Sequence, residues 1–368
     1  MPEPKVFFRQ PASQLHSDRQ AMRHRGALNN PHNRFHGQSL EQVDDGWYHD
    51  AAEDQRSIAT EVRQETSKSI LSRNTSPDIP FDVSLNPYRG CEHGCIYCFA
   101  RPSHAYWDMS PGLDFETRLI YKHNAARLLE ETLQKPGYQC QVIALGANTD
   151  AYQPIESQYR LTRSLLEVCR RFKQPFSVVT KGALILRDLD ILQEMASEQL
   201  CAVYISLTSL DDTLRSTLEP RAATVTARLK VIERLAKAGV PVGVMMAPII
   251  PALNDVEIER LLQAVAGAGA TSANYVLLRL PLEVSPLFQD WLQQHYPQRA
   301  DHIMSLVRQT RDGKDYDASF GTRMRGTGQF ADLIAQRFRL ACKRYGLNQR
   351  RLPLDCSRFQ APGQMSLW

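Results

Sequence analysis

Apolar runs and amphipathic stretches alternate along the middle of the chain. Short apolar runs typical of buried strands lie at 81–88, 140–147, 176–180, 201–208, 240–250 and 272–280. Apolar residues recur at helical spacing over 116–134, 157–172, 184–196, 222–238 and from Asn254, a plausible N-cap, to Ala266. Because apolar strands separated by helices form parallel sheets covered by helices, the pattern predicts a (β/α) barrel or partial barrel.

The two ends of the chain differ from this middle part. Residues 1–80 are rich in polar side chains and lack a sustained apolar period, which predicts a largely irregular N-terminal extension with a short helix over 53–64. Irregular spacing favours solvated surface positions over metal binding for His16, His24, His32, His36 and His49. Helices around 287–295, 302–310 and 329–345 are predicted to follow the 81–280 core, so residues 281–368 form a helical C-terminal extension.

Composition narrows the class of protein. The 368 residues are 43% hydrophobic and 23% charged, which is ordinary for a soluble globular protein. We find no signal-peptide pattern, and the most apolar stretch, 239–253, is too short for a membrane span and contains three prolines. Eight cysteines are too few for a disulfide scaffold of this length. We therefore expect a cytoplasmic protein whose cysteines are metal ligands, catalytic thiols or buried packing residues.

Three of the cysteines lie close together after the first predicted strand. Cys91, Cys95 and Cys98 fall within eight residues, and soft thiolates select zinc or an iron–sulfur cluster. Structural zinc needs a fourth ligand, for which His93 and His104 are nearby candidates. A [4Fe–4S] cluster held by three cysteines instead leaves one iron open. The other five cysteines have no second cysteine at ligand spacing, and structural roles are expected for Cys140, Cys169, Cys201, Cys342 and Cys356.

The CxxxCxxC motif followed by an aromatic residue, at the end of the first strand of a (β/α)₆ chain, resembles the radical S-adenosylmethionine (SAM) superfamily. Residues 81–280 resemble its branch related to spore photoproduct lyase. The resemblance rests on the cysteine motif, residues 148–150, Thr180 with Lys181, Ser206 and the 218–221 turn.

The resemblance implies a partial (β/α)₆ TIM-like barrel of the radical SAM type. It also implies an enzyme of lyase or oxidoreductase type, in which a [4Fe–4S] cluster reductively cleaves SAM to a 5′-deoxyadenosyl radical that abstracts hydrogen from a substrate. An electron donor such as flavodoxin or ferredoxin would then be a partner.

The resemblance further implies which side chains hold the cofactors. Cys91, Cys95 and Cys98 are the implied cluster ligands. Lys181 directly follows a predicted strand, Ser206 lies near the end of the next strand, and both match positions that contact the methionyl part of SAM. A solvent-facing lysine and a serine bonded to backbone are the plain alternatives.

Four more implied SAM contacts lie close to the strand ends. Asn148 and Asp150 stand where the superfamily places its ammonium-binding segment, although the usual Gly-Gly-Glu is absent. Asp150 equally suits a cap on the following turn. Tyr97 and Phe99 flank the third cysteine, where they meet the adenine or pack under the loop.

Arg221 is the last implied SAM contact. It is placed to clamp the SAM carboxylate, but internal pairing with Glu219 or Asp212 is the alternative that we favour. No catalytic side chain is assigned.

The basic residues concentrate near the C-terminal end. The chain has 44 Lys and Arg against 40 Asp and Glu, whereas residues 323–358 alone hold nine basic and two acidic side chains. With Phe338, Tyr345 and Phe359 interleaved, this segment favours contact with phosphates, so a nucleic acid is a candidate substrate. A non-catalytic, zinc-stabilised nucleic-acid-binding protein is the alternative function.

One departure from the photoproduct lyases affects the substrate. Those enzymes carry a hydrogen-donating cysteine near the end of the second strand, and the corresponding residues 146–150 contain none. Thymine-dimer repair by the same mechanism is therefore not expected.

Overall fold

The computed structural model describes residues 24–35, 58–349 and 353–360. Its strands are β1 Glu61–Glu65, β2 Leu71–Arg73, β3 Val83–Leu85, β4 Tyr88–Arg89, β5 Arg118–Lys122, β6 Ile143–Leu145, β7 Phe176–Thr180, β8 Cys201–Ser206, β9 Val242–Ile249 and β10 Ser272–Leu277. Its helices are α1 Asp114–Thr117, α2 Ala125–Leu133, α3 Glu156–Tyr159, α4 Leu161–Arg171, α5 Leu189–Ser197, α6 Asp212–Leu218, α7 Val225–Lys237, α8 Ile258–Gly267, α9 Val284–His295, α10 Ala300–Gln309, α11 Thr322–Arg325 and α12 Gly328–Arg344.

A sheet of seven strands forms the centre of the molecule. Its order is β10-β9-β8-β7-β6-β3-β2, in which β2 is antiparallel to β3 and all other neighbours are parallel. The six parallel strands follow each other in chain order with helices between them, which confirms the predicted (β/α)₆ fold class. Because parallel strands end at one edge, the residues after β6, β7 and β8 meet there.

Two of the helix predictions were wrong, because residues within them form a second, smaller sheet. Residues 118–122 form β5, which pairs in parallel with β1 and antiparallel with β4, so the predicted 116–134 helix is interrupted. Residues 61–65 form β1, so the predicted 53–64 helix ends in a strand instead of a helix. Residues 53–57 of that prediction lie outside the described residues. Each prediction failed because the pairing partner lies far away in the sequence, where local propensity carries no information about it.

Asn254 does not act as the predicted helix cap. A 3₁₀ turn at Asp255–Glu257 precedes α8, and the Asn254 side chain bonds elsewhere. Its Oδ1 accepts from the N–H of Ile250 at 2.6 Å, and its Nδ2 donates to the carbonyls of Thr208 at 2.8 Å and Pro248 at 3.0 Å. The residue therefore ties together the chain segments that follow β8 and β9.

The C-terminal extension contains the three predicted helices as α9, α10 and α12. Its aromatic residues pack inward: the ring of Phe338 lies 4.7 Å from that of Tyr275, and the ring of Phe359 lies 5.2 Å from that of Tyr138. Tyr345 is partly buried against the same core. These rings therefore do not form an exposed stacking surface. Among the described residues, every helix is too short or too polar to span a lipid bilayer.

Two distant cysteines meet at the end of the barrel opposite the carboxyl ends of the strands. Burial, and after it the nearby Cys356 thiol, raises the pKa of Cys140, which precedes β6, to about 12. Sequence spacing gave no indication of this contact. His16, His36 and His49 lie outside the described residues, and the division of the chain at residues 80 and 280 stays a prediction.

Candidate functional site

The three clustered cysteines occupy one loop beyond β3 and β4. Cys91 and Cys95 are buried, and Cys98 is partly exposed. Burial is the main reason why the pKa of the Cys91 thiol lies well above its ordinary value and that of Cys95 is raised to about 12. After burial and Asp150, Cys95 and Cys98 also raise the pKa of Cys91. The three thiols therefore share one small region, named here the cysteine loop (residues 91–98).

The donor set of this loop differs from that of a single-ion site. Across the described part of the chain, no three His, Cys, Asp or Glu side chains are placed to hold one metal ion. His93 Nδ1 lies 3.2 Å from Asp150, and His104 Nε2 bonds the carbonyl of Arg118 at 2.9 Å. Burial lowers the pKa of His104 to about 4. Because His93 and His104 are engaged elsewhere, the three thiols would be the ligands of an iron–sulfur cluster, for which soft thiolates are the ordinary donors.

A buried arginine that sequence reasoning missed holds the backbone of the cysteine loop. The Arg101 guanidinium donates to the carbonyl oxygens of Gly94 at 3.1 Å and Cys95 at 2.9 Å. It also donates to the carbonyl of Gly112 at 2.8 Å and pairs with the carboxylate of Glu116 at 2.5 Å. Arg101 and Glu116 are both fully buried, so this ion pair is a fixed part of the loop.

The N-terminal segment 24–35 lies directly on the same ion pair. The N–H groups of Gly26 and Ala27 donate to the Glu116 carboxylate at 2.9 and 2.8 Å. The Arg25 guanidinium donates to the backbone carbonyl of Glu116 at 3.0 Å. A methyl group on Gly26 would overlap the carbonyl oxygen of Gly94. Only glycine permits this close approach to the cysteine loop.

The 218–221 turn supports the loop from another side. The N–H of Ile96 donates to the carbonyl of Leu218 at 3.0 Å, and the N–H of Arg221 donates to the carbonyl of His93 at 3.3 Å. The Arg221 guanidinium pairs with Glu92 at 3.0 Å, so the favoured pairing with Glu219 or Asp212 was wrong.

Glu219 is instead the centre of a buried network behind the loop. Its carboxylate accepts hydrogen bonds from the Tyr97 hydroxyl and from Thr208 Oγ1 and pairs with Arg228. Although burial disfavours the charged form, Arg228 and Lys181 lower the pKa of Glu219 to about 2. Tyr97 is thereby held by its hydroxyl, with its ring packed in the apolar cluster beneath the loop.

Asp150 is engaged at the end of β6 in the way that the capping alternative requires. Its carboxylate accepts from the N–H of Tyr152 at 2.8 Å, from Thr180 Oγ1 at 2.6 Å and from the N–H of Lys181 at 2.9 Å. Although burial disfavours its charge, His93, the Thr180 hydroxyl and the N–H of Lys181 lower the pKa of Asp150. The carboxylate thus joins the ends of two neighbouring strands to the cysteine loop.

Lys181 and Ser206 come together at the carboxyl edge of the sheet. Thr180 pairs in register with Ile205, so the next residue of each strand lies at the same level. Within the described residues, no carboxylate lies within 4 Å of the Lys181 ammonium and the Ser206 hydroxyl makes no hydrogen bond. Although burial disfavours its charge, Cys95, Glu219 and Asp150 raise the pKa of Lys181, so the ammonium stays protonated beside the thiols.

The remaining predicted contacts lie nearer to the surface. The Asn148 amide donates to Ser103 Oγ at 3.3 Å, and its N–H donates to Asn86 Oδ1 at 2.8 Å. Phe99 is 49% exposed, and the guanidinium of Arg279 lies 5.3 Å from its ring centroid. Phe99 therefore borders the open side of the cysteine loop instead of packing under it.

Comparison with known proteins adds three kinds of match. A family model described as the radical SAM superfamily matches residues 85–265. An uncharacterised protein of Mycobacterium tuberculosis is 36% identical over 244 residues, which are 66% of this chain and 72% of that protein. An uncharacterised protein of Methanocaldococcus jannaschii is 27% identical over 220 residues, which are 60% of this chain and 78% of that protein.

Among solved structures, spore photoproduct lyase complexed with dinucleoside spore photoproduct has the same fold. The TM-score is 0.53 at 15% sequence identity, and the match covers 78% of this chain and 80% of the lyase chain. A mutant of that lyase matches 83% of this chain with the same TM-score. At this level of identity the likeness concerns the fold alone.

Proposed function

The chain belongs to the radical SAM superfamily, and from this premise we propose that it is an enzyme that uses a [4Fe–4S] cluster and SAM to abstract hydrogen from a substrate. The observation that carries the proposal is the grouping of three free thiols in one loop near Lys181, which has no carboxylate within 4 Å among the described residues. When bound, the cluster and SAM supply reductive cleavage and a carbon-centred radical. An electron donor such as flavodoxin or ferredoxin is part of the proposal.

The residues divide into ligands and supports. Cys91, Cys95 and Cys98 would bind the cluster, and the Lys181 ammonium with the Ser206 hydroxyl would hold the charged methionyl end of SAM. The protonated ammonium suits a carboxylate, and the hydroxyl can donate or accept. Asn148 and Phe99 would contact SAM or substrate from the exposed side.

The other predicted SAM contacts would act through the protein. Tyr97 and Asp150 are engaged by Glu219 and by the strand ends, and they would orient the cysteine loop and Lys181. Arg221 would stabilise the loop through Glu92.

Anaerobic reconstitution with iron and sulfide tests the proposal. We expect a brown protein with about four irons and four sulfides per chain that cleaves SAM when reduced. Cys95→Ala should lose both colour and SAM cleavage, whereas Cys356→Ala, which changes a thiol at the other end of the barrel, should keep both. A colourless protein that holds one zinc after reconstitution would overturn the proposal in favour of a zinc-stabilised binding protein.

We propose more narrowly that the substrate is a nucleic acid. A groove of about 500 Å³ between β10 and α12 is lined by apolar residues and by three basic residues against one acidic residue, Asp332. The basic residues are Arg325, Arg339 and Lys343, which belong to the basic C-terminal segment. The fold neighbour is described as complexed with a dinucleoside photoproduct. Within the described residues, no cysteine outside the cysteine loop lies at the carboxyl end of β6. We therefore do not propose the photoproduct-lyase mechanism.

Salt dependence tests this narrower proposal. Affinity for a single-stranded oligonucleotide should fall steeply with added salt, and Arg339→Gln should reduce the slope of log K against log salt by about one. Arg260→Gln is the matched control, since Arg260 is an exposed arginine on α8 outside the groove. No binding at low salt would rule out a nucleic-acid substrate. Deuterium transfer from labelled oligonucleotide into 5′-deoxyadenosine would identify the substrate itself.

A further inference from the structure

Two neighbouring arginines near the carboxyl end of β10 make their described hydrogen bonds to neutral groups. Arg279 donates to the Tyr316 hydroxyl at 3.1 Å and contacts the sulfur of Met324 at 3.5 Å. Arg311 donates to the carbonyls of Leu277 at 3.3 Å, Leu278 at 2.9 Å and Thr322 at 3.0 Å. Within the described residues, neither guanidinium has a carboxylate within 4 Å, and the Nε–H of each is buried without a hydrogen-bond partner.

This arrangement is costly unless something pairs with it. Arg311 is 1% exposed, and burial together with the charge of Arg279 lowers its pKa, although the charge of Asp317 acts in the opposite direction. Buried charges in proteins are normally paired. Arg101 and Arg228, which are equally buried, each bind a carboxylate. Among the described residues, the Arg279–Arg311 pair is therefore a partly desolvated positive site without a carboxylate in direct contact, and Asp317 acts on it only from a distance.

The pair lies on the open side of the cysteine loop. Leu278, the residue before Arg279, packs in the same apolar cluster as Cys95 and Tyr97. The Arg279 guanidinium lies 5.3 Å from the ring of Phe99, which directly follows the third cysteine and is 49% exposed. A ligand bound at Arg279 would thus lie beside the loop that is proposed to hold the cluster.

We propose that Arg279, reinforced by the charge of Arg311, binds an oxyanion of the substrate, either a phosphate or a carboxylate. The guanidinium fork suits bidentate binding of such a group, which would be reached through the terminal nitrogens, since Arg279 is partly exposed while its Nε is buried. The open face of Phe99 offers an adjoining surface for the uncharged part of the same ligand. This inference rests on the proposed radical SAM function and adds the chemistry by which the substrate is recognised.

The position of Arg279 separates this site from the one proposed for SAM. Lys181 follows β7, whereas Arg279 follows β10, and β8 and β9 lie between these strands in the sheet. The two cations therefore approach the cysteine loop from different strands. Lys181 can pair with the carboxylate of SAM while Arg279 pairs with the anion of the substrate.

Calorimetric titration of the full-length reconstituted protein tests the assignment. Inorganic pyrophosphate and adenosine 5′-monophosphate probe for a phosphate, and succinate probes for a carboxylate. We expect one of these classes to bind the wild type. Arg279→Gln should weaken that binding roughly 10- to 100-fold, because a hydrogen-bonded charged group contributes that much. Arg279→Lys should recover part of the affinity, since it keeps the charge but loses the fork.

The controls separate charge, SAM binding and folding from the proposed role. Arg260→Gln, with the same change in net charge, should bind the probe as the wild type does, and Arg279→Gln should bind SAM normally. The inference is overturned if no probe binds the wild type, if Arg279→Gln binds it equally well, or if Arg279→Gln loses SAM instead. Iron content and SAM cleavage measured on the same samples test the proposed function separately, because a protein without a cluster refutes that function whatever the anion result.

Discussion

Replacing Glu219 with Gln tests whether the buried network behind the cysteine loop stabilises the fold. Glu219 is fully buried and Arg228 is 1% exposed. The carboxylate accepts from Tyr97 and Thr208 while it pairs with Arg228. In Glu219→Gln the new amide group presents a donor to the guanidinium, so the Arg228 charge stays buried without its counter-ion.

Two estimates give a similar magnitude for this change. Removing one partner of a buried ion pair costs about 3–5 kcal/mol. Independently, although burial opposes ionisation, Arg228 and Lys181 lower the pKa of Glu219 from 4.5 to about 2. Since one pKa unit corresponds to about 1.4 kcal/mol, the ionised carboxylate contributes about 3 kcal/mol at neutral pH. We therefore expect Glu219→Gln to lower the free energy of unfolding by about 3 kcal/mol.

The same pKa determines how the effect depends on pH. Because the pKa of Glu219 is lower in the folded than in the unfolded state, its contribution is complete above pH 4.5 and is lost as the pH falls toward 2. Gln has no proton to gain in this range. The difference between wild type and Glu219→Gln should accordingly narrow in acid.

Urea unfolding under anaerobic conditions, followed by tryptophan fluorescence, measures the difference. Trp291 is a suitable reporter, because its indole N–H donates to the carbonyl of Thr217, two residues before Glu219. Glu233→Gln is the matched control, since Glu233 pairs with Lys237 on an exposed helix face, where such pairs contribute little. A loss below about 1 kcal/mol in Glu219→Gln, or an equal loss in the control, would refute the reasoning.

Three further changes probe the site and the opposite end of the barrel. Lys181→Met should weaken SAM binding roughly 10- to 100-fold in equilibrium dialysis without loss of iron, whereas Lys181→Arg should retain most of the affinity. Normal SAM binding by Lys181→Met would contradict the assignment. Gly26→Ala should reduce the iron retained after reconstitution, because the added methyl group overlaps the cysteine loop. Gly267→Ala should retain as much iron as the wild type, because the added methyl group enters open space, and equal retention by both variants would argue against the Gly26 contact. Mild oxidation of cluster-free protein with hydrogen peroxide should join Cys140 to Cys356, detected as a linked peptide by mass spectrometry, and a failure to find that peptide disproves their proximity.

The six parallel strands could be predicted because each is a short apolar run with its own local signal. The shared position of Lys181 and Ser206 at the carboxyl edge of the sheet could be predicted in the same way, since both lie at strand ends that must meet at one edge. The small sheet could not be predicted in this way. Residues 118–122 continue a helical pattern locally, and only pairing with β1 and β4 makes them a strand.

The supports of the cysteine loop were missed for a related reason. Glu116 meets Gly26 across 90 positions and Arg101 across 15, so no spacing rule connects them. The 218–221 turn was noticed in the sequence as a point of resemblance, but its physical role became clear only from the contacts. The carbonyl of Leu218 in this turn accepts a hydrogen bond from the N–H of Ile96, and the Glu219 carboxylate accepts one from the Tyr97 hydroxyl.

Pairing separates the cations around the cysteine loop into two groups with different roles. Arg101, Arg221 and Arg228 each bind a carboxylate, and each of these ion pairs contacts the loop or its supports, so their charges are already compensated. Within the described residues, Lys181 and Arg279 have no such carboxylate although both are partly buried. Because a charge without a carboxylate in direct contact gains most from a bound anion, these two positions are where ligands of opposite charge should bind most strongly. Replacing a paired arginine should therefore reduce stability and cluster retention, whereas replacing Lys181 or Arg279 should reduce ligand affinity and leave the fold intact.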